Sequence, residues 1–252
     1  GHEQEGYGLD WNPLTRGLLA SASDDGSVCV WDTANASASP DGLAPLHKLT
    51  GVHDGVVGDV QWHRHHPHLF GTVGDDRFFH LFDTRDCKEA KTSAQVHDKE
   101  CQTLSFSPHI EYLMLTGGND NIVKLWDMRK PDRALHQFFG HQGDIFKVEW
   151  SPFSEAVIAS CSADRRVMVW DLGRIGLEQS QEEAEDGPPE LIFTHGGHTG
   201  KVSDFSWNSN DPWMISSVSE DNVVQVWQMA EKIYAEDEAA SAVAKLSDSE
   251  LE

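Results

Sequence analysis

The stretch HQGDIFKVEWSPFSEAVIASCSADRRVMVWD, residues 141–171, carries the pattern that decides the fold. A histidine opens it, two apolar runs lead to an Asp-containing turn, and a third run ends in a tryptophan 29 residues after the histidine. The same spacing joins His2 to Trp31, His53 to Phe82, His97 to Trp126 and His198 to Trp227. Six residues before each aromatic stands an Asp: Asp25, Asp76, Asp120, Asp164 and Asp221. From each aromatic to the next histidine the distance varies between 15 and 28 residues, so constraint lies inside the unit and slack between units. That is the signature of a repeat protein.

Each unit contains three β-rich runs bounded by polar and glycine turns: Gly8 to Trp11, Leu18 to Ala22 and Val28 to Trp31 in the first, Phe146 to Trp150, Val157 to Cys161 and Val167 to Trp170 in the fourth. The aromatic-to-aromatic steps are 51, 44, 44 and 57 residues. A four-stranded blade of a β-propeller takes roughly 40 to 45 residues, and the G-H…W-D form of the unit is the WD40 type. The fold class expected is all-β, a WD40 β-propeller with five visible repeats and a short C-terminal helix.

Fixed spacing has a chemical cause. An Asp in a tight turn can accept a hydrogen bond from the histidine, which can reach a Ser or Thr of the second strand and then the indole N–H of the third. Such a chain satisfies buried polar groups and fixes strand register. Three units carry the proposed set: His2, Ser23, Asp25 and Trp31; His141, Ser162, Asp164 and Trp170; His198, Ser219, Asp221 and Trp227. Units two and three have Gly74 and Gly118 at the serine position, and unit two has Phe82 for Trp, which predicts networks there that are shorter or completed by water. A His/Ser/Asp set could be read as a hydrolase triad, but its recurrence in equivalent units fits structure rather than catalysis. No enzyme, cofactor or metal is expected.

Composition narrows the partners. There is no apolar run of membrane-spanning length and no secretory leader in this sequence. Cys29, Cys87, Cys101 and Cys161 are scattered without a C-x-x-C pair and read as free thiols. The tract from His63 to His68 resembles a metal site, but falls at the joint between two strands of unit two, where a loop is the better reading. Forty-two acidic against nineteen basic residues give a net charge of −23, which argues against nucleic acid and for a basic partner.

Two acidic features are local. Between units four and five, residues 178–190 hold six carboxylates and no base, closed by Gly187-Pro188-Pro189 before the strand-like Leu191-Ile192-Phe193. The positions three and five past each histidine form a rim: Glu5, Val56, Glu100, Asp144 and Lys201, then Tyr7, Gly58, Gln102, Phe146 and Ser203. Carboxylates beside aromatics suit Arg or Lys side chains held by ion pairing and cation–π contact.

Glu5-Gly6-Tyr7-Gly8-Leu9, the run from Ala184 to Leu191, His195-Gly196-Gly197-His198-Thr199 and the run from Ser219 to Glu231 resemble the retinoblastoma-associated, MSI-type histone-binding WD40 proteins. The resemblance extends from residue 1 to about residue 235. It implies a nuclear, possibly also cytoplasmic, chaperone of histones H3 and H4, shared by chromatin assembly, histone acetyltransferase, deacetylase, remodelling and Polycomb-type complexes. It also implies two sites. A groove for the first helix of histone H4 would use Glu185, Asp186, Gly187, Pro188, Pro189, Phe193 and Ile233. A top face for the histone H3 tail would use Glu5, Tyr7, Gln102, Asp144, Phe146 and Glu220. Gly58 departs from the family pattern, which has an acid there.

Members of that family have seven blades and an N-terminal helix, so this sequence reads as a portion lacking the helix and two blades. A self-closing five-bladed ring is the alternative. Residues 1–229 are expected to form the blades, 230–235 a short helix, and 236–252 an acidic disordered tail. The competing functional reading is a WD40 adaptor for another basic partner, in ribosome assembly or a ubiquitin ligase.

Overall fold

The structure is a computed structural model that describes residues 1–34 and 42–234. The expected tail, 236–252, lies outside the described residues. The chain folds into five antiparallel sheets in sequence order, the blades of a β-propeller. Blade one holds β1 (Leu9–Trp11), β2 (Leu18–Ala22), β3 (Val28–Asp32) and β4 (His47–Leu49). Blade two holds β5 (Val57–Trp62), β6 (Leu69–Gly74), β7 (Phe78–Asp83) and β8 (Thr92–Gln95). Blade three comprises β9 (Cys101–Phe106), β10 (Leu113–Gly118), β11 (Val123–Asp127) and β12 (His136–Phe138). Blade four comprises β13 (Ile145–Trp150), β14 (Val157–Ser162), β15 (Val167–Asp171) and β16 (Leu191–His195). Among the described residues, blade five holds β17 (Val202–Trp207), β18 (Met214–Ser219) and β19 (Val224–Gln228), after which 231–234 turn into helix. The fourth strands fall in the variable spacers, outside the constant His-to-aromatic unit.

Tight turns join the strands. Arg77, Asn121, Arg165 and Asn222, each one residue after a turn Asp, have φ of 74, 67, 71 and 62°, and Gly26 takes the same place in blade one with φ 72°. Left-handed backbone costs a non-glycine residue energy, and the Asp side chain beside it offsets that cost by accepting the N–H two residues on.

No blade encloses its own core; the apolar clusters lie between blades. Val28 and Val30 of β3 pack with Val60 and Trp62 of β5. Phe79 and Leu81 of β7 meet Leu104 and Phe106 of β9. Val123 and Leu125 of β11 meet Val148 and Trp150 of β13, and Val167 and Val169 of β15 meet Phe205 and Trp207 of β17. The same register positions recur at every interface. In the third strand they stand three and one residues before the aromatic, and in the next first strand seven and nine past the histidine. All sixteen of these side chains are at most 6% exposed. A backbone contact accompanies them: Trp62 N–H donates to Asp10 at 2.8 Å, Phe106 N–H to Gln61 at 2.6 Å, and Trp207 N–H to Glu149.

Candidate functional site

A buried relay aims the loops. In blade four, His141 Nδ1 lies 2.8 Å from Asp164, His141 Nε2 lies 2.8 Å from Ser160 Oγ, and the Trp170 indole N–H donates to that Oγ at 2.9 Å. With the carboxylate at Nδ1, a neutral imidazole carries its proton there and accepts the serine hydroxyl at Nε2, so every donor is used once. Ser160, not Ser162, is therefore the member of the relay. The same correction moves Ser23 to Ser21 and Ser219 to Ser217, each within 2.8 Å of its histidine. Ser23 and Ser162 instead reach back to the carbonyls of Glu5 and Gly143 and cap their Asp turns, and Ser219 also caps its turn.

The correction also removes the expected shortfall in blades two and three. Thr72 and Thr116 stand at the relay position, 2.8 and 2.7 Å from His53 and His97, and Trp126 donates to Thr116. Only Phe82 leaves a gap, since it has no N–H to give. A hydroxyl 19 residues after every histidine is the signal in the sequence, whereas the position two residues on is less regular.

His63, outside the relays, is equally occupied. His63 Nδ1 accepts the N–H groups of His65 and His66, its Nε2 donates to Glu111 O at 3.0 Å, and burial pushes its pKa down to about 4. It locks the β5–β6 joint. Among the described residues, His53, Asp76 and His80 form a cluster of potential metal ligands with their nearest donor atoms within 4.8 Å, but both nitrogens of His53 are committed to the relay. All four cysteines are free.

On the face of the Asp turns, the five residues placed five past each histidine line one cavity. Tyr7, Gly58, Gln102, Phe146 and Ser203 surround a space of about 470 Å³. Successive first strands pack side by side, so one register position is repeated around the opening. Tyr7 is exposed and donates its hydroxyl to Glu5 Oε2 at 3.2 Å. That hydrogen bond raises the phenol pKa. The expected rim acid is excluded at Gly58, because a Cβ there would stand 2.9 Å from the Cys101 carbonyl.

Beneath the rim lies a charged layer that sequence reading missed. Asp10, Asp59, Glu149 and Asp204 line the cavity together with Arg64 and Lys147. Arg64 pairs with Asp10 at 3.4 Å, and Lys147 spans Asp204 and the Phe205 carbonyl, both at 2.7 Å. Asp59 is pushed up to about 7 by burial, although it accepts from Val60, Thr103 and Leu104. Burial also raises Glu149, whose Oε2 is enclosed without a hydrogen-bond partner. Four carboxylates against two bases favour an added cation. At the rim, Asp75 is raised by burial and then by the neighbouring charges of Glu100 and Asp24, a further sign of crowded acids.

Asp144 and Glu220 stand on the loops of blades four and five; the Asp144 carbonyl accepts Ala163 N–H, and Glu220 N–H donates to Lys201 O. The other predicted site is assembled in two pieces. The Phe193 ring lies 5.6 Å from Trp227, tilted at 34°, and shares an apolar cluster with Met229, Ile233 and Tyr234. Glu185 and Asp186 sit on an exposed turn (Glu183–Glu185, with Asp186 closing it). Ser180 and Glu183 cap one another reciprocally, and Gln179 donates to Gly187 O. Gly187, with φ 131°, turns the chain into Pro188 and Pro189. Glu190 is buried and paired with His136 at 2.8 Å, so five of the six acids of the loop face outward.

Residues 1–32, 89–127, 132–171 and 189–228, more than half of the chain, match the family described as WD domain, G-beta repeat. The chain belongs to the WD40 repeat family. The longest unmatched part of the repeat array holds β4 and the body of blade two, where Phe82 replaces the tryptophan yet the His53–Thr72 relay persists. WD40 repeats build protein-interaction scaffolds, and here the scaffold presents an acidic, aromatic-edged cavity at the mouth of its first strands.

Proposed function

We propose that the chain is a non-enzymatic scaffold that holds Arg/Lys-rich protein segments, and that histones H3 and H4 are its partners. One observation carries the reading. All five WD40 repeats contribute a residue to a single cavity with an aromatic rim and a surplus of carboxylates beneath it. A guanidinium or ammonium entering there meets Tyr7 and Phe146 at the edge and replaces missing countercharge below. The resemblance of the Glu185-Asp186-Gly187-Pro188-Pro189 loop to histone-binding WD40 proteins supports the assignment to histones. On this reading the H3 tail lies over Glu5, Tyr7, Gln102, Asp144, Phe146 and Glu220, and the first helix of H4 lies between the acidic loop and the Phe193–Ile233 cluster. Chromatin assembly and histone-modifying complexes in the nucleus are the setting.

Calorimetry with the two peptides at two salt concentrations tests it. Replacing Asp144 and Glu220 by Ala is expected to weaken H3-tail binding and spare the H4 helix; replacing Glu185 and Asp186 is expected to do the reverse. Separation follows because exposed charges act over a Debye length of about 8 Å at physiological salt. Loss of both peptides in both folded variants refutes two sites. If neither pair of changes matters, the partner is another basic protein and the adaptor reading replaces this one.

A further inference from the structure

Blade two departs from the other blades at two positions, and both bear on the carboxylate of Asp76. In blades one, three, four and five an indole N–H donates to the relay hydroxyl, at distances from 2.8 to 3.1 Å. That donor occupies the oxygen and steers the hydroxyl hydrogen onto the histidine Nε2, which keeps the ring proton at Nδ1. Phe82 gives no N–H, so the Thr72 oxygen is open to a different donor. It can accept from His53 Nε2 across the same 2.8 Å, and the lone pair of the ring then lies at Nδ1. His53 is thus the relay histidine whose Nδ1 can become a ligand without a second donor crowding the hydroxyl.

The second departure is His80. Two residues before the relay aromatic, the other blades carry Cys29, Lys124, Met168 and Gln225. In blade three the Lys124 ammonium stands 3.5 Å from Asp120, so this place beside the turn carboxylate takes a cation. His80 Nε2 stands there in blade two, 3.9 Å from Asp76 Oδ2. Burial, and then the neighbouring His53, push the His80 pKa down to about 4, so the ring itself brings no charge at neutral pH. Its Nδ1 lies 2.8 Å from Ser93 Oγ, which fixes the ring with Nε2 toward Asp76, and the N–H groups of Phe78 and Asp54 fix the carboxylate.

We propose that His53 Nδ1, Asp76 and His80 Nε2 hold a divalent transition cation of the zinc class. Two neutral imidazoles and one carboxylate suit such an ion, whereas calcium and magnesium take all-oxygen sets. The three donor atoms lie within 4.8 Å of one another. Tetrahedral coordination at zinc bond lengths sets donors about 3.3 Å apart, so side-chain shifts on the order of 1 Å close the site. The proton balance is neutral: the His53 ring proton moves from Nδ1 to Nε2 as the cation takes its place against Asp76. A cavity of about 800 Å³ between blades one and two is lined by His80, Phe82 and Ser93 and gives the ion its path. Once bound, the ion ties the loop before β5, the β6–β7 turn and β7 together.

Zinc chloride titrated calorimetrically into the 252-residue chain tests the site. A variant with the exposed His65 and His68 both changed to Ala controls for the histidine tract. Wild type and this control are expected to bind one zinc ion alike, and His80→Ala is expected to lose it. Phe82→Trp keeps all three ligands but returns an indole N–H to Thr72, and is expected to weaken binding about tenfold or more. Long-range proton–nitrogen NMR is expected to show the His53 ring proton at Nδ1 before zinc and at Nε2 after it. The NMR reading decides alone should Phe82→Trp fail to fold. The proposal is overturned if wild type binds no zinc, if His80→Ala binds as wild type does, if binding is lost in the control instead, if calcium competes equally, or if the His53 proton stays at Nδ1.

Discussion

His141 Nδ1 lies 2.8 Å from the carboxylate of Asp164, whereas the same atoms of His198 and Asp221 in the last blade stand 3.6 Å apart. Asp221 turns its nearer oxygen to the Thr199 N–H at 2.9 Å, and the buried His198 Nδ1 is left without a partner. A relay flanked by blades on both sides is thus tighter than one at the edge of the array. Asp164 side chain is 8% exposed. Asp164→Ala is expected to cost on the order of 2–4 kcal/mol, more than Asp221→Ala and more than Asp24→Ala on the rim, which should cost well under ~1 kcal/mol. Urea denaturation of the three variants checks the order; equal midpoints would remove the relay from the account of stability.

Ser160 and Ser162 lie on the same face of β14 but do different work. Ser160→Ala strands the Trp170 N–H and His141 Nε2 in a fully buried place and is expected to cost ~2–3 kcal/mol. Ser162→Ala loses a bond to the Gly143 carbonyl and a turn cap, for ~1 kcal/mol. The reverse ranking in thermal unfolding would restore the register first read from the sequence.

Asp59 predicts an unusual pH response. Its folded pKa is raised to about 7 by burial, above its ordinary value of 3.8. Its contribution is fully present below 3.8, where both states are protonated, and is lost as pH rises to about 7. Relative to wild type, Asp59→Asn is expected to gain stability between those limits by on the order of 2–4 kcal/mol and then level off. Unfolding free energies at pH 4, 5.5 and 7 test this; a difference independent of pH sinks it.

Buried Glu190, paired with the partly exposed His136, anchors the acidic loop to blade three. Glu190→Ala is expected to raise amide exchange across 178–189 about tenfold or more while leaving the protection of β9–β11 unchanged. Unaltered exchange in the loop would mean that its own capping contacts hold it.

How much was legible before the structure follows from range. The His-to-aromatic spacing is a local constraint inside one antiparallel unit, so the repeats, and the first three strands of blades one and four, could be read to within about a residue, and the five cavity-lining positions came with them. The short helix after blade five was legible too, since the residues after Trp227 have helical rather than alternating spacing. Other features depend on tertiary contact. Choosing Ser160 over Ser162 required knowing which hydroxyl the indole reaches across the β14–β15 pair. The charged layer of Asp10, Asp59 and Glu149 became visible only when first strands from different blades lay side by side. Val28 and Val60 have ordinary core identities in the sequence; that they meet across two blades is decided by the arrangement of whole sheets.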